Sequence, residues 1–396
     1  MSVRCMAKAT ATTVTYATTT EPTSVATLRN PPAMPDRILM PMLRALYIVL
    51  LCLLIGACSQ RANEASRLLN DISAGPGPSV QKHVTPVPER RAVPQGDLYL
   101  PGQGAVAALV LVPGLARAGK DDPRLIAFAE SLARARFAVL VPDITSLRNL
   151  QVRPDQIDEI GAAVVWLSHK YGSVGLVAIS YAAGPALLAA LRQPVRFLLS
   201  IGGYHDITGM VTFLTTGDYR LNGHWRHSEP NTYGKWIFVK SNAGRLSSAR
   251  EATQLAAIAE AHLNNQAPPS SRLGPEGRAV MALVNNGDRS RVPALIADLP
   301  PAIQADMAAL DPARADLESL RARLLLVHGT DDDMVPYSES LDLARRLGPM
   351  RASLTVVDGL WHVDPDFSLA DRLALWDMAM ELLELRDASH PEDIRR

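Results

Sequence analysis

The sequence predicts an α/β fold, a doubly wound and mostly parallel sheet with a helical lid insertion. Short apolar segments alternate with helical segments from residue 107 to 201, and the alternation returns from residue 323 to 385. This order is typical of parallel strands joined by right-handed crossovers. Residues 204–320 lack the alternation and are helix-rich, polar and interrupted by Pro, Gly and Asn. They are therefore predicted to be one insertion in a single α/β domain.

The individual elements follow from hydrophobic patterning. Strands buried on both faces are near-continuous apolar segments, whereas helices repeat apolar residues every three or four positions. The predicted strands are Gly96–Pro101, Ala107–Val112, Phe137–Val141, Val174–Ile179, Phe197–Ile201, Arg323–Val327 and Ser353–Val357. The predicted helices are Pro123–Arg136, Pro154–Tyr171, Tyr181–Leu191, Ser338–Leu347 and Leu369–Leu385.

Composition narrows the class of protein. The 396 residues are 47% hydrophobic, and 40 basic side chains balance 40 acidic ones. This is an ordinary globular composition, and zero formal net charge argues against a nucleic-acid partner. The three cysteines are Cys5, Cys52 and Cys58, so the chain beyond them has no disulfide, cysteine nucleophile or cysteine-ligated metal. Oligomeric state does not follow from these numbers.

The first part of the chain is predicted to be an extension and a signal peptide, residues 1–57. Residues 1–39 lack apolar periodicity, and Met40 or Met42 is the expected start of translation. An apolar run from Ala45 to Ala57 has the length of a signal-peptide core and is short for a membrane span. Residues 58–93 are predicted to be a tether with one short helix near residues 62–69, and residues 94–203 and 321–396 to be the core.

The end of the apolar run resembles the lipobox of bacterial lipoproteins, in the order Ile55-Gly56-Ala57-Cys58. The resemblance implies that Cys58 carries a diacylglyceryl group, is acylated further with a fatty acid such as palmitate, and anchors the protein in the cell envelope. Ser59 at the next position implies the periplasmic face of the outer membrane. An uncleaved signal anchor and an ordinary cleaved signal remain the alternatives.

A serine marks the join between a predicted strand and a predicted helix. Ser180 follows the strand Val174–Ile179, and its neighbours two positions away, Ala178 and Ala182, are small. A strand that turns directly into a helix needs small flanking residues, which is why such an elbow is usually written G-x-S-x-G. The turn would aim the free N–H groups of the helix at a developing oxyanion. Capping of the helix by the serine hydroxyl is the alternative interpretation.

Two further segments with side chains that can act as acids or bases follow predicted strands. Asp331, Asp332 and Asp333 come after the strand Arg323–Val327, and His362 comes after the last strand. The carboxyl ends of parallel strands share one edge of the sheet, where ligands bind. A serine hydroxyl needs an imidazole to take its proton and a carboxylate to orient that imidazole. The order serine, aspartate, histidine therefore predicts a serine hydrolase.

These motifs together resemble the α/β-hydrolase family, with similarity to dienelactone-hydrolase-like and prolyl-oligopeptidase-like members. Ser180 matches the nucleophile, and the segment from His328 to Pro336 matches the acid loop, which places the acid at Asp332. His362 matches the histidine of the family. The resemblance implies an oxyanion hole made by the N–H groups of Tyr181 and Leu115. It also implies that no cofactor and no metal is needed.

Other acidic and histidine side chains offer competing interpretations. Asp331, Asp333 and Asp206 remain alternative acids, since Asp206 follows the strand after the elbow. His328 is interpreted as a structural loop residue. His205, His224 and His227 fit no spacing of metal ligands.

The insertion carries many aromatic residues in its first half. They are Tyr204, Phe213, Tyr219, Trp225, Tyr233, Trp236 and Phe238. They line an apolar substrate pocket or form the insertion's own core, and most are expected in the core. The predicted function is therefore a carboxylesterase-like serine hydrolase acting on a small-molecule ester. A non-catalytic envelope-binding lipoprotein with the same fold and a serine peptidase or amidase are the alternatives.

Overall fold

The computed structural model describes residues 60–358, 360–361, 364–365 and 368–388. The segments with helical backbone are residues 60–74 (α1), Val80–Val84 (α2), Pro123–Arg134 (α3), Thr145–Arg148 (α4), Asp155–Tyr171 (α5), Ala183–Arg192 (α6), Ile207–Thr216 (α7), Thr232–Ala243 (α8), Ala249–Leu263 (α9), Pro275–Val284 (α10), Val292–Ala297 (α11), Pro301–Ala309 (α12), Ser338–Leu347 (α13) and Leu369–Asp387 (α14). The strands are Glu89–Val93 (β1), Gly96–Leu100 (β2), Ala107–Val112 (β3), Phe137–Pro142 (β4), Val174–Ile179 (β5), Val195–Ile201 (β6), Asp218–Leu221 (β7), His224–His227 (β8), Arg323–Gly329 (β9), Ala352–Val357 (β10), Leu360–Trp361 (β11) and Asp364–Pro365 (β12).

The main sheet has eight strands in the order β1-β2-β4-β3-β5-β6-β9-β10. The β1–β2 and β2–β4 pairs are antiparallel, and the five pairs from β4 to β10 are parallel. The predicted doubly wound, mostly parallel sheet is thereby confirmed. Because the six neighbouring strands from β4 to β10 run in the same direction, their carboxyl ends share one edge.

Two apolar layers cover the faces of this sheet. One layer buries α5, α6 and α13 against the strands, and the other buries α3 and α14. Central strands are apolar on both faces, as in the fully buried β3, β4 and β5. The insertion between β6 and β9 has a third apolar cluster of its own, contributed mainly by α8, α9 and α10.

The amino-terminal segment differs from the expected tether. Helix α1 lies against α14, where Trp376 donates to the carbonyl of Ala62 and Arg386 pairs with Glu64 at 2.7 Å. Its Ala65 and Leu68 are buried in the core. Strand β1, placed in the tether from the sequence, forms the edge of the main sheet. The short helix expected near residues 62–69 is present and extends over residues 60–74. Its apolar residues are few, so the polar composition of the segment did not indicate that the helix packs on the domain through one narrow face.

A buried ion pair holds α1 to the domain. The Asp71 carboxylate lies 3.1 Å from the Arg134 guanidinium at the end of α3, and their side chains are 0% and 4% exposed. Arg134 also pairs with Glu130. Among the helices that the structure describes, none has the length and apolarity needed to cross a bilayer. The apolar run before Cys58 and the lipobox lie outside the described residues.

Asp71→Ala tests whether α1 belongs to the folded domain. Removing one partner of a buried pair leaves the other charge partly uncompensated, so the free energy of unfolding should fall by about 3 kcal/mol. The measurement is urea unfolding followed by circular dichroism. Asp158→Ala is the matched control, because its pair with Arg192 is largely exposed and should contribute no more than about 0.5 kcal/mol. Equal losses in the two variants would contradict a structural role for the buried pair.

Candidate active site

Ser180 occupies a strained turn at the shared edge of the sheet. Strand β5 ends at Ile179, a 3-10 turn covers Ser180–Ala182, and α6 begins at Ala183. Ser180 has φ of +56°, in the left-handed region that side chains other than glycine rarely adopt. The conformation costs roughly 1–2 kcal/mol and is maintained only where the surrounding structure enforces it. The tight strand–helix turn predicted from the sequence is therefore present.

Small residues make this turn possible. Ala178 and Ala182, which flank Ser180, are both fully buried. A β-carbon added at Gly203, just after β6, would lie 2.3 Å from Cβ of Ala183 and 2.4 Å from Oγ of Ser200. One added at Gly184 would lie 2.3 Å from the Tyr204 ring. The start of α6 is thus packed against β6 with no room for a further methyl group.

The loop after β3 passes beside the elbow. A β-carbon added at Gly114 would lie 3.2 Å from the carbonyl oxygen of Ile179 and 3.4 Å from Cβ of Ser180. Leu115, the expected second oxyanion donor, is the next residue and lines the same cavity as Ser180. Its backbone N–H donates no hydrogen bond within the described part of the chain. A backbone donor is therefore available close to the serine.

Asp332 is the buried member of the three consecutive aspartates. Its Oδ1 accepts hydrogen bonds from the N–H groups of Met334 and Val335, both at 2.9 Å, and its side chain is 1% exposed. Its Oδ2 lies 3.5 Å from Nε2 of His328. His328 is itself fully buried between the Ser340 hydroxyl and the Val335 carbonyl, at 2.7 and 2.9 Å. His328 therefore supports the loop that carries Asp332, in agreement with its interpretation as a structural loop residue.

The alternative acids have other contacts. Asp331 is exposed, and Asp333 accepts a hydrogen bond from the Asn231 amide at 3.2 Å. Asp206 caps α7 by accepting the Thr208 N–H at 2.9 Å. Asp333 and Asp206 therefore have structural contacts, and only Asp332 among the three consecutive aspartates is buried.

His362 lies outside the described residues. The described residue two positions before it, Leu360, contacts the end of β9. A β-carbon added at Gly329 would lie 2.0 Å from the Leu360 carbonyl oxygen. Gly329 precedes Asp332 by three positions, so the segment leading to His362 approaches the acid loop.

A histidine and two acids form an electrostatic cluster where the insertion begins. Oε2 of Glu339 accepts the N–H groups of His205 and Asp206 and lies 3.0 Å from Nδ1 of His205. Burial lowers the pKa of His205, but the hydrogen bond and negative charge of Glu339 outweigh it, so the pKa is raised. Burial and the charge of Glu339 raise the pKa of Asp206. The cluster attaches the first residues of the insertion to α13.

A cavity of about 440 Å³ lies between Ser180 and the insertion, within the roughly 300–1,000 Å³ of small-molecule sites. Core residues, most of them apolar, line one side, and α7, α8 and α12 line the other. The lining residues are Leu115, Val152, Ser180, Tyr181, Tyr204, Ile207, Met210, Val211, Leu214, Asn231, Tyr233, Gly234, Ile237, Phe238, Asn242, Asp306, Met307, Leu310, Asp333, Met334 and Val335.

Hydrogen bonds attach the insertion to the core on both sides of the cavity. The N–H of Asn231, which caps α8, donates to the Asp333 carbonyl at 2.8 Å. Near the other end of α8, the Ser241 hydroxyl accepts the N–H of Val152 at 2.6 Å. The exposed residues Asn231 and Tyr233 place the mouth of the cavity near the start of α8, because both line it and reach solvent.

The aromatic residues of the insertion divide between several environments. Tyr204, Tyr233 and Phe238 line the cavity, while Phe213 is fully buried and Trp225 is exposed. Tyr204 stacks on Tyr181 with ring centroids 5.9 Å apart, and burial raises the pKa of both hydroxyls. The aromatic residues thus contribute both to a pocket and to the packing of the insertion.

Sequence reasoning missed several features of the insertion. The β7–β8 hairpin turns at Asn222 and Gly223, with φ of +55° and +81°. Asn-Gly is a strong signal for such a turn and was available in the sequence. The cavity-lining Asn242 and Asp306 had no comparable signal, because isolated polar residues in helices are ordinary surface residues. Among the described residues, no group of three or more His, Cys, Asp or Glu side chains is arranged to hold a metal ion.

Gly203→Ala tests the packing that holds the elbow. The added methyl group would overlap Cβ of Ala183 and should lower the free energy of unfolding by about 2 kcal/mol, as overpacking does. Gly244→Ala is the control, because Gly244 has no atom within 4 Å of an added β-carbon. Thermal and urea unfolding measure both variants. A Gly203 variant as stable as the control would show that α6 can move away from β6 without loss.

Comparisons with known proteins bear on the fold. No protein-family model matches the sequence, and no curated protein sequence matches it. Solved protein structures, in contrast, do match it. A candidate hydrolase from Legionella pneumophila is similar with a TM-score of 0.50 and 14% identity, over 78% of this chain and 92% of that one.

Two further solved structures have lower scores and carry no argument of their own. The rice cell wall degrading esterase LipA from Xanthomonas oryzae has a TM-score of 0.43 and 13% identity, over 73% of this chain and 84% of that one. Dienelactone hydrolase from Anabaena variabilis has a TM-score of 0.39 and 16% identity, over 75% and 97%. At such identities the likeness concerns the fold alone. The similarity to the Legionella structure, together with the sheet order and the elbow, establishes that the chain has the α/β-hydrolase fold.

Proposed function

We propose that the protein is a serine hydrolase of the carboxylesterase type, acting on a small-molecule ester without a cofactor. The observation that carries this proposal is the left-handed backbone of Ser180, at a strand–helix turn that faces a largely apolar cavity. Strain of this kind is concentrated at functional sites. A helix cap alone would not require it, because N-cap residues have ordinary extended backbone.

In the proposed reaction, the Ser180 oxygen attacks the ester carbonyl while the His362 imidazole takes its proton. The alcohol leaves with that proton, and an acyl group remains on Ser180. Water, activated by the same imidazole, then releases the acid. Asp332 orients the imidazole and stabilises its cation. The two backbone N–H groups that donate to Oδ1 of Asp332 support this role, because they hold the carboxylate in one orientation.

The oxyanion would be held by the N–H groups of Tyr181 and Leu115. Tyr181 lies in the first turn after the serine, where helix N–H groups point outward. The available N–H of Leu115, one residue from the Gly114 contact with Ser180, supports the second donor. A small, mostly apolar cavity favours a small-molecule ester over a polypeptide substrate.

Ser180→Ala tests the nucleophile. Because members of a triad act as a unit, turnover of 4-nitrophenyl butyrate should fall by on the order of 10⁴-fold or more. A fluorophosphonate probe should label the wild-type protein and not the variant. Ser319→Ala is the matched control, since Ser319 is exposed and bonds only to the Asp316 carbonyl. Folded wild-type protein that hydrolyses no ester and takes no label would favour the non-catalytic binding protein.

We also propose that Cys58 carries a lipid that anchors the protein to the periplasmic face of the outer membrane. The lipobox-like order of residues 55–58 supports this proposal. More than one acyl chain is needed for stable attachment to a bilayer.

Cys58→Ala tests the anchor. The variant expressed in a bacterial host should incorporate no labelled palmitate and should leave the membrane fraction. Cys52→Ala is the matched control, because Cys52 lies within the apolar run and not at the lipobox. Palmitate labelling that persists in the Cys58 variant would refute the assignment.

A further inference from the structure

We propose that the inner end of the cavity is a recognition site for a hydroxyl or protonated amine, formed by Asn242 and Asp306. The substrates would then be esters with an apolar chain that ends in a hydrogen-bond donor. This inference rests on the proposed function, since it names the class of substrate that the same site would select.

Asn242 presents an acceptor to the cavity. The residue is 7% exposed and lines the cavity near the carboxyl end of α8. Its Nδ2 donates to the Phe238 carbonyl at 2.9 Å, which fixes the orientation of the amide, because only the nitrogen can pair with a carbonyl. Its Oδ1 receives no hydrogen bond within the described part of the chain.

Asp306 on α12 presents a second acceptor to the same cavity. Its Oδ2 lies 2.6 Å from Nε of Arg245, and its Oδ1 receives no hydrogen bond from a described residue. Arg245 follows the end of α8 by two residues, and its backbone N–H donates to the backbone carbonyl of Asn242 at 2.9 Å. The contact of its side chain with Asp306 therefore brings α12 close to the end of α8 that carries Asn242.

The two oxygens decide which group fits. The Asp306 side chain is 18% exposed, so water can reach it in the empty cavity. A ligand that fills the cavity displaces water from both acceptors, so a ligand that supplies a donor is favoured over one that does not. Hydroxyl and ammonium groups supply donors, whereas a ketone or carboxylate would place acceptor against acceptor. The negative charge of Asp306 opposes an anionic ligand further.

The rest of the ligand must be apolar. Ile237, Phe238, Met307 and Leu310 line the cavity around the polar end. The cavity follows α8 from Asn231 at the mouth to Asn242 inside, which is about 16 Å at 1.5 Å per residue. A chain of several methylene groups matches such a passage. A donor at the end of the chain then adds selectivity, because the ligand otherwise displaces water from the two acceptors without pairing with them.

Two matched pairs of esters test the inference on the wild-type enzyme. One pair varies the acyl group, 4-nitrophenyl alkanoates against their ω-hydroxy derivatives, and the other varies the alcohol, alkyl acetates against ω-hydroxyalkyl acetates. Chains of four to ten carbons are used. In at least one pair, kcat/KM should be about tenfold higher for the hydroxylated ester at its best length. Equal or lower values for every hydroxylated ester would overturn the inference.

Asn242→Leu tests whether Oδ1 of Asn242 causes the preference for the hydroxylated ester. In the variant, the ratio of kcat/KM for the hydroxylated ester to kcat/KM for the plain ester should fall from about ten to about one, whereas a purely structural role would lower both values together and leave their ratio unchanged. Asn285→Leu is the matched control, since Asn285 is an exposed residue in the same insertion with no side-chain hydrogen bond among the described residues. A preference that survives in the Asn242 variant would also overturn the inference.

A binding measurement separates this inference from the proposed function. Octane-1,8-diol and 1-octanol are compared for displacement of bound N-phenyl-1-naphthylamine, a neutral fluorophore. Asn242→Leu should weaken binding of the diol about tenfold relative to binding of 1-octanol. If no ester is hydrolysed but the diol is weakened selectively, the proposed function fails and the recognition site stands. If esters are hydrolysed and neither preference nor selective weakening is seen, the recognition site fails alone.

Discussion

The left-handed backbone at Ser180 is the constraint on which the site depends. A parallel strand can turn into a helix within one residue only if that residue accepts an unfavourable conformation and its neighbours leave space. Ala178, Ala182 and Gly203 provide the space, and the packing of α6 against β6 enforces the conformation. The result is a hydroxyl placed above the sheet edge beside the loop that carries Leu115. A rigid elbow of this kind is preorganised, so that little rearrangement is needed during reaction.

The same edge of the sheet brings the acid loop to the serine. Asp332 is held by backbone N–H groups of its own loop, and that loop is supported from beneath by buried His328. The insertion then closes the site from above. It is attached through Asn231 at the mouth and through Ser241 farther along α8, so the cavity has a defined shape rather than an open surface.

The wall of the cavity is mostly apolar but polar at its inner end, and this difference bears on which ligands bind. Most of its wall is apolar, and an apolar wall distinguishes chains mainly by their length. The two acceptors at the inner end would distinguish chains of the same length, because a ligand that covers a polar group without pairing with it loses binding free energy. Under the proposed function, the insertion would select the substrate, whereas the core would carry out the reaction.

The sequence by itself determined the sheet, the order of its parallel strands along the chain and the candidate residues Ser180, Asp332 and His362. These depend on local signals, namely apolar segments of strand length, helical periodicity and short motifs at strand ends. Only the tertiary structure decided that α1 packs on α14, that β1 completes the sheet, and that Asn242 and Asp306 face one cavity. Such features depend on contacts between residues distant in the chain. Neither Asn242 nor Asp306 differs locally from a surface residue of an amphipathic helix, so pattern alone could not distinguish them.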